Sequence, residues 1–280
     1  MKLFRIMRRH VNSLFVYILL FLSVVIILLP LFNMLSTSFK TEQEFYVSLR
    51  LIPQKPTLNN YSVVLLHTDY VLNILNSLIV SSSVTLICII AAGFSGYALS
   101  RTKGLFFRIY TDFLLALYMI PLVLTMIPLF VIFKNIGLFD TRTAPILSYS
   151  AGYLPVSIWI LKGHFDSIPT ELEESAYIDG ASKFKAFSAI IAPISLPGIA
   201  AVGILAFINS WKEFLLANIF MKRDVIKTVT LGLFRFVQAF RTDYGYIMAS
   251  ATLAIIPIFV FLIFSQKSII QGFTAGAIKQ

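Results

Sequence analysis

Six long apolar blocks constrain what this 280-residue chain can fold into more than any other feature. A helix that crosses the hydrocarbon of a bilayer needs about 20 apolar residues. Segments Leu14–Ser38, Ile74–Ser100, Ile109–Phe133, Ala144–Leu161, Ile190–Ile208 and Tyr246–Phe264 reach or approach that length. The fourth is short and interrupted by Gly152 and Pro155, so it is the least regular of the set. Phe214–Phe220 is apolar but too short to cross, and is expected to dip back into the protein. Charged residues make up 13% of the chain, against about 25% in a soluble domain. The expected fold is an all-α integral membrane bundle of about six transmembrane helices, forming one domain over residues 1–280.

The net charge of +10 raises the question of nucleic acid, but no basic stripe with interleaved aromatics is present. Lys and Arg sit mainly between the apolar blocks, where they anchor helices to lipid headgroups. Membrane lipid is therefore an expected partner, and nucleic acid is not. Cys88 is alone inside an apolar block, which leaves no disulfide framework and no metal-ligand spacing. The first block is too long for the apolar core of a cleavable signal and is read as a first span.

Orientation follows from the positive-inside rule. The tail 1–13 carries Lys2, Arg5, Arg8 and Arg9, and the second connection carries Arg101, Lys103 and Arg108. With both inside, the N-terminus, the connection 166–188 and the tail 265–280 are cytoplasmic, and the basic connection 209–245 lies outside. The spans carry Pro121, Pro128, Pro155, Pro193, Pro197 and Pro257, each a candidate kink. Ala92, Gly96 and Ser100 recur at four-residue spacing, which lets two helix backbones approach closely.

The most informative stretch runs from Ile168 to Ser182. Together with Asp166 it holds five of the thirteen acidic residues, the others being Glu171, Glu173, Glu174 and Asp179. Pro169 suits a first helical turn, and Thr170-x-x-Glu173 reads as a capping box. Gly180 supplies a stop and Ser182 a cap for a second helix. The spacing predicts a short helix, a sharp turn and another helix. Leu172 and the small Ala176 share a face against which another protein could dock.

Glu174-Ser-Ala176, then Gly180, then Ile190 and Pro193 resembles the cytoplasmic "EAA" loop of ABC importer permeases. The pattern departs at Ser175, an alanine in the family, and at Ala192, a leucine there. Ser36–Lys40, Asn59–Tyr61, Ala98–Arg101 and Gly272–Gly276 resemble stretches of the maltose-type second permease subunit, in the same order along the chain. The resemblance implies a type I ABC importer permease fold with a cytoplasmic coupling helix. It implies half of a translocation pathway for a sugar or oligosaccharide in the cell (inner or plasma) membrane. The implied partners are a second permease subunit in a heterodimer, two ATPase subunits that bind ATP and Mg, an extracellular solute-binding protein and a carbohydrate substrate. Leu172, Glu174, Ser175, Ala176, Asp179 and Gly180 would be the residues that couple to the ATPase.

The chemistry of the remaining residues agrees with a passive subunit. No Gly-x-x-x-x-Gly-Lys-Ser/Thr loop is present to cradle ATP phosphates. His10, His67 and His164 are scattered and offer no zinc pair. Gly93-Phe-Ser-Gly96 matches a serine-nucleophile motif, but Ser95 has no histidine well inside a span to act as its base. Neither enzymatic activity nor a cofactor of its own is expected. An ion-coupled secondary carrier is the alternative, and it would place carboxylates deep within spans. Asp112 stands near a span end and no carboxylate is deeper. Asn209, Trp211 and Glu213 follow the fifth span and are expected to line the substrate pathway, with the Trp211 ring available to stack on a sugar.

Overall fold

The computed structural model describes residues 2–47, 50–237 and 243–277, with side chains over 16–47, 50–237 and 243–265. The described residues form no β-strand. The helices are α1 (Lys2–Ser38), α2 (Glu42–Val47), α3 (Asn59–Leu66), α4 (Tyr70–Arg101), α5 (Leu105–Tyr118), α6 (Met126–Asn135) and α7 (Thr143–Asp166). They continue as α8 (Glu171–Ile178), α9 (Lys183–Ala186), α10 (Ala192–Ile194), α11 (Leu196–Trp211), α12 (Leu215–Phe220), α13 (Val229–Phe234) and α14 (Tyr244–Ala277). Four helices contain spans long and apolar enough to cross a membrane: Val16–Ser38, Tyr70–Arg101, Thr143–Asp166 and Tyr244–Ser265. Two bent pairs bring the total to six if each pair is one span.

The bends modify the expected spans. The third is broken, with Leu105–Tyr118 and Leu122–Asn135 meeting at 87°. Pro121 has no N–H for the helix ladder and pushes Ile120 out of helical geometry, so the helix stops there. The fifth is broken too, with Lys183–Ile194 and Leu196–Trp211 at 75°. A π turn at Phe187–Ile191 and the prolines Pro193 and Pro197 lie around that joint. The fourth, expected to be the least regular, is instead one continuous helix of 24 residues with Pro155 inside it.

The chain forms two compact units. One comprises Met1–Thr68 and Leu233–Leu253. Its joint is the polar end of α1. The Ser38 hydroxyl meets the Tyr61 hydroxyl at 2.6 Å, and the Asn60 amide donates to the Ser38 and Lys40 carbonyls at 2.8 and 2.9 Å. The Asn60 amide thereby satisfies the Ser38 carbonyl, one of those a helix C-terminus leaves open, and a second carbonyl just beyond it. Stretches 36–40 and 59–61, separate in sequence, are thus one structural element. Gly245 lies against it, where a Cβ would come within 2.8 Å of the Asn60 side chain.

The other unit comprises Asp69–Gly232 and Ala254–Gln280. Its axis is α4, whose buried residues Ser77, Val80, Ser81, Val84, Cys88, Ala92, Gly96 and Leu99 recur at three- and four-residue spacing along one side. Gly96 fits closely against α7, because a Cβ there would sit 3.0 Å from the Lys162 nitrogen and 3.2 Å from Leu161 Cβ. Small residues at such crossings let backbones pack at short range. At one end of α4, Asn73 and Asn76 donate to carbonyls of Lys227 and Val225, and the Val229 N–H donates to Ser77. Nearby Asp140, at φ 58°, accepts from the Lys222 and Arg223 N–H groups and from the Arg223 guanidinium at 2.7 Å. Burial opposes its charge, but these donors together hold its carboxyl below the usual carboxylate range.

Candidate functional site

The helix–turn–helix expected from the spacing of Gly180 and Ser182 is present as α8 and α9. Gly180 has φ +82°. Its N–H donates to the Tyr177 carbonyl at 3.0 Å, and the Ala181 N–H reaches back to Ala176 at 2.9 Å. This is the Schellman closure, which needs a left-handed residue at the turn. No heavy atom lies within 4 Å of where a Gly180 Cβ would be, so the backbone angle rather than space demands glycine. Ser182 caps α9 through the Lys185 N–H at 3.3 Å.

The start of α8 differs from expectation. Pro169 precedes the helix rather than forming its first turn, and Thr170 makes no side-chain cap. The Glu173 carboxylate does not return to the helix start, because it has a stronger partner. Glu173 is 4% exposed, and its carboxylate accepts from Arg101 Nε at 2.7 Å and from the Tyr97 hydroxyl at 2.5 Å. A guanidinium outcompetes a backbone amide for a carboxylate.

Glu173 and Ala176, three residues apart, turn inward together. Ala176 therefore does not share an open face with Leu172, as its spacing suggested. Leu172, Glu174, Ser175, Asp179 and Gly180 are exposed. Two apolar residues that the sequence pattern did not single out are also open: Ile178, 87% exposed at the end of α8, and Phe184, 67% exposed in α9. An apolar patch around a turn, rimmed by carboxylates, is a surface suited to docking a protein.

The residues expected along a substrate pathway fare differently. Trp211 is 2% exposed with its ring stacked on Phe207, so it presents no open face to a sugar. Asn209 donates back to the Leu205 carbonyl at 2.8 Å. Glu213 accepts from the N–H groups of Leu216 and Ala217 at 2.9 and 3.1 Å and from the Tyr149 hydroxyl. It thereby starts α12, a six-residue helix that buries Leu216, Ala217 and Phe220 as the short apolar run anticipated.

Bent and broken apolar spans around α4, with a helix–turn–helix at one end, define a multi-pass membrane protein. The chain belongs to the family described as the binding-protein-dependent transport system inner membrane component, whose pattern it matches over residues 84–274. It is 39% identical over 252 residues to a putative ABC transporter permease of Caldicellulosiruptor, covering 89% of this chain and 91% of that one. It is 35% identical over 264 residues to the trehalose/maltose transport system permease of Thermococcus litoralis, covering 92% and 94%. Among solved structures, a bacterial ABC transporter that imports the polysaccharide alginate matches with a TM-score of 0.75 at 18% identity, over 92% of this chain and 96% of that one. The fold is that of type I ABC importer permeases.

Proposed function

We propose that this chain is one of two membrane-spanning subunits of an ATP-driven importer for a sugar or oligosaccharide. Its termini and α8 face the cytoplasm, and α8 seats in a groove of an ATPase subunit. The observation that carries this reading is the α8–Gly180–α9 turn, with Leu172, Glu174, Ser175, Asp179 and Ile178 left open around it. Its apolar centre provides area to bury, and its carboxylates provide charge-assisted contacts to basic groups on a partner. The trehalose/maltose permease similar to it supports a carbohydrate substrate. ATP and Mg belong to the ATPase subunits, and an extracellular binding protein delivers the substrate.

Co-expression with candidate ATPase and second-permease subunits from the flanking genes tests the assembly. Retention of the ATPase through purification is expected, and consistent loss of it would overturn the reading. The purified complex in proteoliposomes, given a binding protein and a panel of radiolabelled maltose, trehalose and galactobiose, should import sugar only with ATP. Import by this chain alone under a proton or sodium gradient would make it a carrier instead. Gly180→Val forces a β-branched residue into the left-handed region. It should reduce import about tenfold or more while ATP hydrolysis continues, with unchanged membrane levels on a blot.

A further inference from the structure

Arg101 is the last residue of α4, yet its guanidinium serves three helices. It pairs with Glu173 of α8 at 2.6 Å, with Arg101 and Glu173 side chains 18% and 6% exposed. It donates to the Phe165 carbonyl at 3.0 Å and approaches the Ile168 carbonyl at 3.4 Å, both at the end of α7. It also donates to Ser100 Oγ at 2.9 Å and lies 5.7 Å from the Tyr97 ring centroid. Glu173 is held in turn by the hydroxyls of Tyr97, at 2.5 Å, and Tyr177, at 3.4 Å. The planar guanidinium spreads five donors in a fixed fork over a carboxylate and two carbonyls. A lysine ammonium has three donors at a single point and cannot pair with the carboxylate side-on.

We infer that the Arg101–Glu173 pair is the positioning element that makes α8 move as one body with α4. The inference rests on the proposed role of α8 as the coupling helix. The geometry supports it in two ways. α8 has only eight residues and exposes most of its surface, so its own packing holds it weakly. The pair is its directional tie to the longest helix of the second unit, the one whose face runs along α7 and α11. A displacement of α8 by a partner is therefore transmitted to α4 through a buried ion pair, which resists rotation as well as separation.

The test uses the full complex in proteoliposomes and the disaccharide of the panel that the unmutated complex imports. Arg101→Gln, Glu173→Gln and the double variant should each retain the ATPase and hydrolyse ATP, while sugar imported per ATP falls about tenfold. The double variant should be no worse than either single, since both remove the same link. Tyr97→Phe keeps the ion pair and should leave import per ATP unchanged. Spin labels at positions 102 and 171, in a Cys88→Ser background, should show one sharp distance through the ATP cycle, broadened in Arg101→Gln. If thermal stability falls but import per ATP and the label distances match the unmutated complex, the pair is only a structural tie and the inference fails. If the unmutated chain holds no ATPase, the coupling role of α8 fails first, and this inference with it.

Discussion

Two glutamates of the second unit, Glu173 and Glu213, are each held among helices and each accept a tyrosine hydroxyl. There the likeness ends. Glu173 is tied to Arg101, 72 positions earlier in the chain, across a boundary between helices. Glu213 accepts from N–H groups of α12, the helix that follows it, and its distant partner, the Tyr149 hydroxyl, carries no charge. One carboxylate joins distant elements by charge, and the other starts a local helix by hydrogen bonding. Identical chemistry in two places thus has a mechanical use in one and a conformational use in the other.

That contrast is open to measurement by thermal unfolding in detergent. Glu173→Ala leaves the largely buried Arg101 guanidinium without its counter-ion, a loss of about 3 kcal/mol. Glu213→Ala removes a cap and strands the Tyr149 hydroxyl, a smaller loss of about 1–3 kcal/mol. Adding Arg101→Met to Glu173→Ala should recover part of the loss, because the stranded charge is gone. Glu213→Ala strands no charge, so adding Tyr149→Phe should recover less, since it removes only an unpaired hydroxyl. Equal losses at the two positions would abolish the distinction.

The tyrosines sharpen it further. Tyr97→Phe and Tyr149→Phe each delete one hydrogen bond and should cost about 1 kcal/mol apiece. Tyr97→Phe should be the milder, because Tyr149 is fully buried whereas Tyr97 is only partly so.

Asp140 supplies the smallest effect and a third kind of carboxylate, one that clips two connections together. Its folded pKa is lowered, so its contribution is present above the unfolded value and is lost as pH falls through the folded one. Asp140→Asn should therefore destabilise by about 0.5–1 kcal/mol at neutral pH. The difference from the unmutated chain should shrink below about pH 4. Hydrogen exchange across residues 222–226 is the readout, and a pH-independent difference would exclude the charge as the cause.

Some of this organisation is legible from residue order. Block lengths predict the number of spans, and α12 follows from a seven-residue, mainly apolar run too short to cross. Gly180 and Ser182 announce their turn because both act on backbone within a few residues. The bends are half legible, since prolines mark where a break can occur without deciding whether it does. Pro121 breaks its helix and Pro155 does not. Pro155 is followed directly by the buried Val156, Ser157 and Ile158, whereas the residues around Pro121 are mostly exposed. Within the candidate site, exposure is not legible from the motif: Ala176 is buried and Leu172 open. Trp211 is buried too, because burial depends on neighbours that spacing does not name.

By itself the sequence determined that this chain crosses a membrane about six times and carries a helix–turn–helix between two spans. Both follow from interactions of a residue with the bilayer or with its nearest neighbours along the chain. Only the tertiary structure decided where Glu173 spends its charge. A capping box and an ion pair compete for the same carboxylate, and the winner is set by whether a guanidinium 72 residues away arrives within hydrogen-bond reach. It does, and α8 is thereby joined to α4.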